Sequence, residues 1–297
     1  MNYEVVIIGG SYAGLSAALP LARARRQILI IDAGQRRNRF AEHSHNFLTQ
    51  DGRAPDAIAA EARAQVEKYS TVSWLSETVT DVKAIDGQYL VSAGEQQFQA
   101  EKIIIATGVK DELPQVEGLA ERWGKSIYHC PYCDGYELNM GEVGVLVSGM
   151  HSLHQALMLP DWGNTTLFLN DAIKAEQLDD ELLAKLSKRQ IVIETRKVAR
   201  IENHCDIVFV DGEHTTLNGL FVSTVTRLQA DWIRNLGLDI DSNEYGEAIK
   251  TSPAKETNIK GVYACGDVTR SGGSVALSVG DGAMTGIVAH KSFIFLS

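Results

Sequence analysis

The first thirty-two residues leave this chain little choice of fold. Val5-Val6-Ile7-Ile8 is a continuous apolar run, the pattern of a parallel strand covered on both faces. It feeds Gly9-Gly10-Ser11-Tyr12-Ala13-Gly14, then a helical segment over 15–25, then a second apolar strand over 27–31 that ends in Asp32. Strand, glycine turn, helix, strand and acid make a dinucleotide-binding unit. The turn and the helix N-terminus offer N–H groups and a positive dipole end to a pyrophosphate, and the acid receives a ribose hydroxyl. The middle glycine of the fingerprint is Ser11 here. A serine still lets a ligand approach the backbone closely and adds a hydroxyl. A glycine fingerprint alone is a weak signal; the flanking strand, helix and acid lift it above an α/β turn that binds nothing.

A second feature is chemical. In His129-Cys130-Pro131-Tyr132-Cys133-Asp134-Gly135-Tyr136-Glu137, two cysteines stand two residues apart. Such a pair closes a small disulfide, holds two thiolates or forms half a metal site. Pro131 fixes one φ and keeps the sulfurs close in either oxidation state. Asp134 is placed to exchange a proton with a thiol. Zinc needs two such pairs, or a pair plus two histidines. His129 is a candidate third ligand with no fourth, because Cys205 and Cys265 stand alone and far off. Redox work is therefore the expectation, and no metal.

The chain has 297 residues, enough for two domains with separate cores. A net charge of −10 with only Arg36-Arg37-Asn38-Arg39 as a basic cluster excludes a nucleic-acid or anionic-membrane partner. No charged leader precedes the first strand, no apolar stretch reaches membrane-spanning length, and four cysteines do not make a disulfide scaffold. A cytoplasmic protein is expected.

Further along, residues 54–69 have the spacing of a surface helix, and 72–100 alternate around Asp86-Gly87 as short antiparallel strands. Residues 102–105 are a buried strand closing in Ala106-Thr107-Gly108, where small residues let a ligand approach the sheet's carboxyl edge. A crossing near Pro114 leads to a second strand–turn–helix–strand over 144–169, with its helix over 152–162. That turn, Val147-Ser148-Gly149-Met150-His151-Ser152, has one glycine where three small residues are wanted, and Met150 and His151 fill the pyrophosphate's space. Its strand ends in Leu169-Asn170-Asp171 with no arginine pair for a 2′-phosphate, so Asp171 favours NADH if any pyridine nucleotide binds. Several short strands over 191–222, a helix over 228–236 and a linker over 239–248 follow. Gly266-Asp267 ends a strand, Asp267 can hold a polyol hydroxyl, and Ser271-Gly272-Gly273-Ser274 opens a long helix from Val275 to about His290. Cys265 reads as a buried small hydrophobe and Cys205 has no role. His43 and His45 read as solvent-facing loop residues or as the border of a cofactor. The apolar tail 291–296 is expected to pack on a partner subunit or to act as an aromatic lid.

Four motifs in this order — glycine turn with ribose acid, Ala-Thr-Gly, Cys-x-x-Cys-Asp, and Gly-Asp before the last helix — resemble the low-molecular-weight thioredoxin reductase family of flavoproteins over nearly the whole chain. The resemblance implies an α/β protein of two Rossmann-like, three-layer domains. An FAD domain (1–112 and 237–297) is split by an inserted pyridine-nucleotide-type domain (113–236) that carries the dithiol, and the protein is a homodimer. Carried over by position, Gly9, Ser11, Tyr12, Ala13, Gly14 and Asp32 hold the adenosine diphosphate part of FAD. Asn46, Val79, Ala106, Thr107, Gly108, Gly266, Asp267, Ser274 and Val275 complete the cofactor set. Gly273-Ser274 replaces the family's arginine–glutamine pair, which removes its contacts to the flavin pyrimidine. Cys133 is then the flavin-side thiol, Cys130 the exchange thiol, Asp134 the acid/base and His129 a second one.

True reductases of this family draw electrons from NADPH through three-glycine and arginine motifs absent here. The chain therefore resembles more closely a branch without an intact nucleotide site, some members of which oxidise dithiols with oxygen. The expected function is FAD-dependent thiol–disulfide exchange with a small-molecule or thioredoxin-like substrate, as dithiol oxidase or with a donor other than NADPH. An NAD(P)H-dependent reductase is the alternative within the class, and a flavin-bound redox sensor without turnover the alternative outside it.

Overall fold

The computed structural model describes residues 2–295 and divides into two compact units. The first comprises Met1–Arg39, Asn46–Lys110 and Thr226–Ser297; the second comprises Phe40–His45 and Asp111–Val225.

In the first unit, strand β1 (Asn2–Ile8) leads through helix α1 (Tyr12–Arg23) to strand β2 (Ile28–Ile31). Helix α2 (Pro55–Glu67) and strands β3 (Val72–Leu75), β4 (Val79–Ile85), β5 (Gln88–Ala93) and β6 (Gln96–Ile105) follow. The sheet runs β3-β2-β1-β6 in parallel, with strand Val262–Ala264 parallel on the other side of β6. β1 is apolar and buried from Val5 to Ile8 because both its faces are covered there. Val6 and Ile8 join one core with the β4–β5 hairpin, while Val5 and Ile7 join another with α1. A fully buried side chain of this size contributes about 1.5–3 kcal/mol, so the run Val5 to Ile8 is itself a strong folding signal. The final helix, Val275–Phe295, crosses α1 closely. A Cβ on Gly282 would lie 2.1 Å from the Ala13 carbonyl oxygen, so only a residue without a side chain lets the backbones approach there.

The second unit repeats the plan. Strands Val192–Glu194, Asn164–Phe168, Glu142–Leu146, Gly219–Val222 and Ile127–Tyr128 form a parallel sheet. Helices Ser152–Met158 and Asp180–Lys188 supply one core with Val143 and Val145. The antiparallel strands Val198–Glu202, Asp206–Phe209 and His214–Thr216 belong to the opposite layer, whose core takes Leu146 and Phe168. The α/β class with two three-layer, Rossmann-like units is as expected.

Several local expectations are corrected. β3 pairs in parallel with β2, not within the antiparallel set, since alternation does not encode a partner. The helix expected over 152–162 stops at Met158, where Pro160 turns the chain into a 3₁₀ segment, Leu159–Asp161. Residues 228–236 contain the end of strand Val225–Leu228 and only one helical turn, Trp232–Asn235. The segment taken as a linker is an antiparallel hairpin, Ile240–Asn243 with Gly246–Ile249, so the chain re-enters the first unit at Thr226. The final helix continues to Phe295; Phe293 packs on its own unit, with Arg26 and Lys102 4.4 and 4.3 Å from its ring centre. Leu296, the end of the expected lid, lies outside the described residues.

Candidate functional site

Strand register gathers most of the expected cofactor residues of the first unit. Ile8 pairs with Ile31 and with Ile105, and Ile105 with Ala264, so these strands end level at one carboxyl edge. The segments that follow them are Gly9–Gly14, Asp32, Ala106–Gly108 and Gly266-Asp267. A Cβ on Gly9, whose φ is +105°, would meet the Ala106 carbonyl oxygen at 2.3 Å; one on Gly14 would meet the Gly9 oxygen at 1.8 Å. Both positions demand glycine. The first helical bond of α1 runs from Leu15 N–H to Ser11 O, which leaves the amides of Tyr12, Ala13 and Gly14 at the open helix end. Asp32 accepts the Gly10 amide at 2.9 Å and the Gly34 amide at 3.2 Å, so the acid is fixed by the glycine turn itself.

The remaining expected residues divide. The Tyr12 ring is buried with Ile58 and Ala59, with Val275 packed alongside, and its hydroxyl donates to the Pro55 carbonyl; burial raises its pKa. It is wall, with only its backbone at the helix end. Val79 is 7% exposed in the sheet core opposite Ala93, so its side chain is structural. Thr107 carries a carbonyl that accepts from Gln229 Nε2 at 3.2 Å. Ser274 Oγ accepts the Leu277 amide at 3.2 Å, making it a capping residue of the final helix. Asn46 adopts a left-handed backbone (φ 61°), its amide donating to Asp51 at 2.8 Å.

Two partners of this edge were not foreseen. Arg37 Nη1 pairs with Asp267 Oδ2 at 2.9 Å, although Arg37 had been seen only as part of a basic cluster. Asp281, the lone acid inside an apolar helix, accepts the Gly266 amide at 2.8 Å and pairs with Lys255 and Arg270. That lone acid was the available signal. Gly273 lies against Asp267: a Cβ there would fall 1.9 Å from Oδ1.

In the second unit, strand Ile127–Tyr128 ends two residues before Cys130, and Gln155 Nε2 donates to the carbonyl of the intervening His129 at 2.6 Å. The dithiol is not in an open loop: Pro131–Asp134 is one helical turn with Cys130 at its N-cap and Pro131 at its first position. Cys133 and Asp134 donate their amides to the Cys130 carbonyl at 3.1 and 3.2 Å, which holds both cysteines on one turn. Cys130 and Cys133 are partly exposed, whereas burial pushes Cys205 and Cys265 up to about 12 and leaves them inert. Trp162 packs under Gly135 and stands edge-on to Tyr132 at 5.2 Å. Burial, then the Cys130 charge and Glu137, push the Asp134 carboxyl up to about 7, against a smaller opposing effect of His45. A carboxyl poised there exchanges protons near neutrality. His45 is no solvent-facing loop residue: its Nε2 lies 3.4 Å from Glu137 Oε1.

The second glycine-poor turn is closed on itself. The Ser148 amide donates to Ser152 Oγ at 3.0 Å, Ser148 Oγ donates to the Ser223 carbonyl at 2.6 Å, and His151 Nε2 lies 3.2 Å from Ser148 Oγ. A Cβ on Gly149 would touch the His151 ring at 3.0 Å. Among the described residues, no three His, Cys, Asp or Glu side chains gather as a metal site, and no helix is long and apolar enough to cross a membrane.

Two Rossmann-like units, one with a dinucleotide cradle and one with a dithiol beside a poised acid, define an FAD-dependent disulfide oxidoreductase of the thioredoxin reductase type. The chain belongs to the pyridine nucleotide-disulphide oxidoreductase family, whose model matches residues 3–289. It is 32% identical over 308 residues to the thioredoxin reductase sirT of Leptosphaeria maculans, covering 96% of this chain and 92% of that protein. It is 31% identical to the thioredoxin reductase aclD of Aspergillus oryzae, covering 98% and 97%. The crystal structure of an oxidoreductase from Agrobacterium tumefaciens matches at a TM-score of 0.96 and 50% identity, covering 100% of both chains.

Proposed function

We propose that this enzyme moves electrons between an external thiol compound and FAD through Cys130 and Cys133, with a dithiol rather than NADPH as donor. FAD, when bound, would supply the two-electron acceptor, with oxygen as the terminal oxidant. The first unit is assigned to FAD: the Gly9–Gly14 cradle, the helix-end amides and the fixed Asp32 fit its adenosine diphosphate half. Ala106 to Gly108 and Gly266-Asp267 serve the remainder. The second unit is the inserted domain.

In the oxidase direction, a substrate thiolate attacks the Cys130 sulfur of the Cys130–Cys133 disulfide, and Cys133 leaves as thiolate. The second substrate thiol then displaces Cys130, closing the substrate disulfide and leaving two electrons on the enzyme dithiol. Asp134 takes and returns the proton at Cys130, with His129 as a second acid/base. Exposed Leu277, Met284, Ile287 and Ile294 on the final helix support the homodimer.

The observation that carries the choice of donor is the self-bonded second turn, where Ser152 Oγ occupies the Ser148 amide and His151 fills the space over Gly149. Anaerobic titration of the holoenzyme with NADPH, NADH and a small dithiol tests it. Bleaching by the dithiol and not by NADPH is expected. Rapid bleaching by NADPH overturns it and leaves the reductase reading that the names of the fungal relatives favour.

A further inference from the structure

The segment Phe40–His45 belongs to the second unit, although the residues on either side of it belong to the first. It is seated at both ends. Phe40 packs against Gly124, where a Cβ would lie 2.7 Å from the phenylalanine Cβ, and Ser44 is buried at 6% exposure. What this detour delivers to the dithiol turn is His45, whose ring nitrogen lies 3.4 Å from the Glu137 carboxylate. Glu137 sits one turn beyond Cys133, in the middle of the 3₁₀ segment Tyr136–Leu138.

We infer that His45 and Glu137 form an opposed charge couple beside Asp134, and that this couple governs when Asp134 exchanges a proton with Cys130. His45 is a positioning residue in this scheme, and the inference rests on the acid/base reading of Asp134 given above. The proton transfer is simple: the Cys130 thiol gives its proton to an Asp134 oxygen, leaving a thiolate and a neutral carboxyl. A carboxylate on Glu137 disfavours a second negative charge at Asp134, whereas His45 acts on Asp134 in the opposite sense. The other groups facing the carboxyl are the Cys130 thiol and the Tyr128 hydroxyl. His43 stands beside His45 with ring centres 6.3 Å apart, and its own carboxylate neighbour is Glu42 at 3.8 Å. Because His45 and Glu137 act with opposite sign, removing each alone must move Asp134 in opposite directions. A merely structural contact would not do that.

The test is the pH dependence of iodoacetamide alkylation of the dithiothreitol-reduced holoenzyme. Wild type is expected to show an inflection where Asp134 titrates, and Asp134→Asn to lose it. His45→Gln should move that inflection up, and Glu137→Gln down, each by roughly half a unit to one unit. The double variant should return close to wild type, and His45→Arg should not move it up. Glu137 is half-exposed, so its glutamine variant reads the couple even where a His45 variant fails to fold. Single variants that leave the inflection in place, or shift it the same way, overturn the couple alone. An inflection that survives in Asp134→Asn overturns the acid/base reading, and the couple with it.

Discussion

Asp32 is joined to Gly10 by a direct bond, the Gly10 amide donating to Oδ1 at 2.9 Å. The acid that is to receive a ribose hydroxyl is thus also the brace of the glycine turn. Bonds to a charged group contribute about 1.5–3 kcal/mol each. Asp32→Ala should therefore weaken FAD retention by roughly 10- to 100-fold, counting the lost ligand bond alone. The flavin-to-protein absorbance ratio after dialysis measures this; full retention would remove Asp32 from the cofactor site.

Asp281 anchors the opposite side of that edge. Burial raises its pKa, but the Lys255 ammonium, the Gly266 amide and the Arg270 guanidinium outweigh burial and hold it below the usual carboxylate range. A depressed folded value means that the stabilisation is present above the unfolded value, about 4, and is lost as pH falls through the folded one. Asp281→Asn should cost about 1–3 kcal/mol at neutral pH, discounted for the part-exposed cations. It should also flatten the loss of stability on acidification. Urea unfolding at neutral and acid pH checks both parts.

The fold was legible wherever burial on both faces wrote an unbroken apolar run, as in Val5 to Ile8 and in Ile103 to Ile105. It was illegible where a strand faces water. Ile240–Asn243 is mostly exposed and polar, so it passed for a linker. The dithiol, the glycine turn and Asp32 could be read because their chemistry is local in sequence. Arg37 with Asp267, and His45 with Glu137, could not: their partners are 230 and 92 positions away, joined only by the fold.

The crossing of the final helix over α1 gives a purely steric prediction. A methyl on Gly282 falls 2.1 Å from the Ala13 oxygen and one on Gly286 2.1 Å from the Ala17 oxygen. Both meet backbone, which cannot swing aside. Gly282→Ala should cost about 1–3 kcal/mol and, because Ala13 lies in the first turn of α1, should weaken FAD retention as well. Gly280→Ala is the control for packing within the chain: nothing lies within 4 Å of its Cβ, so any cost it shows belongs to the subunit face that it shares with Leu277 and Met284.

Asp134 should show the opposite stability profile to Asp281. Burial, the Cys130 charge and Glu137 raise its folded value to about 7, above the unfolded value near 4. Folding then favours the protonated form. That contribution is fully present below the unfolded value, fades as pH rises between the two values, and is gone above the folded one. In alkaline buffer the wild-type enzyme holds a poorly solvated carboxylate in its dithiol turn. Asp134→Asn should accordingly be more stable than wild type there by about 1–3 kcal/mol, less than the full linkage value because the side chain is not wholly shielded from water. In acid buffer the two should converge. The same variant should slow thiol exchange by roughly 100-fold or more, since it removes a positioned proton acceptor. Urea unfolding in both buffers, beside the rate of flavin bleaching by a dithiol, reads the two effects together. A variant destabilised in alkaline buffer would mean that Asp134 is held as a bonded carboxylate and not as a poised acid.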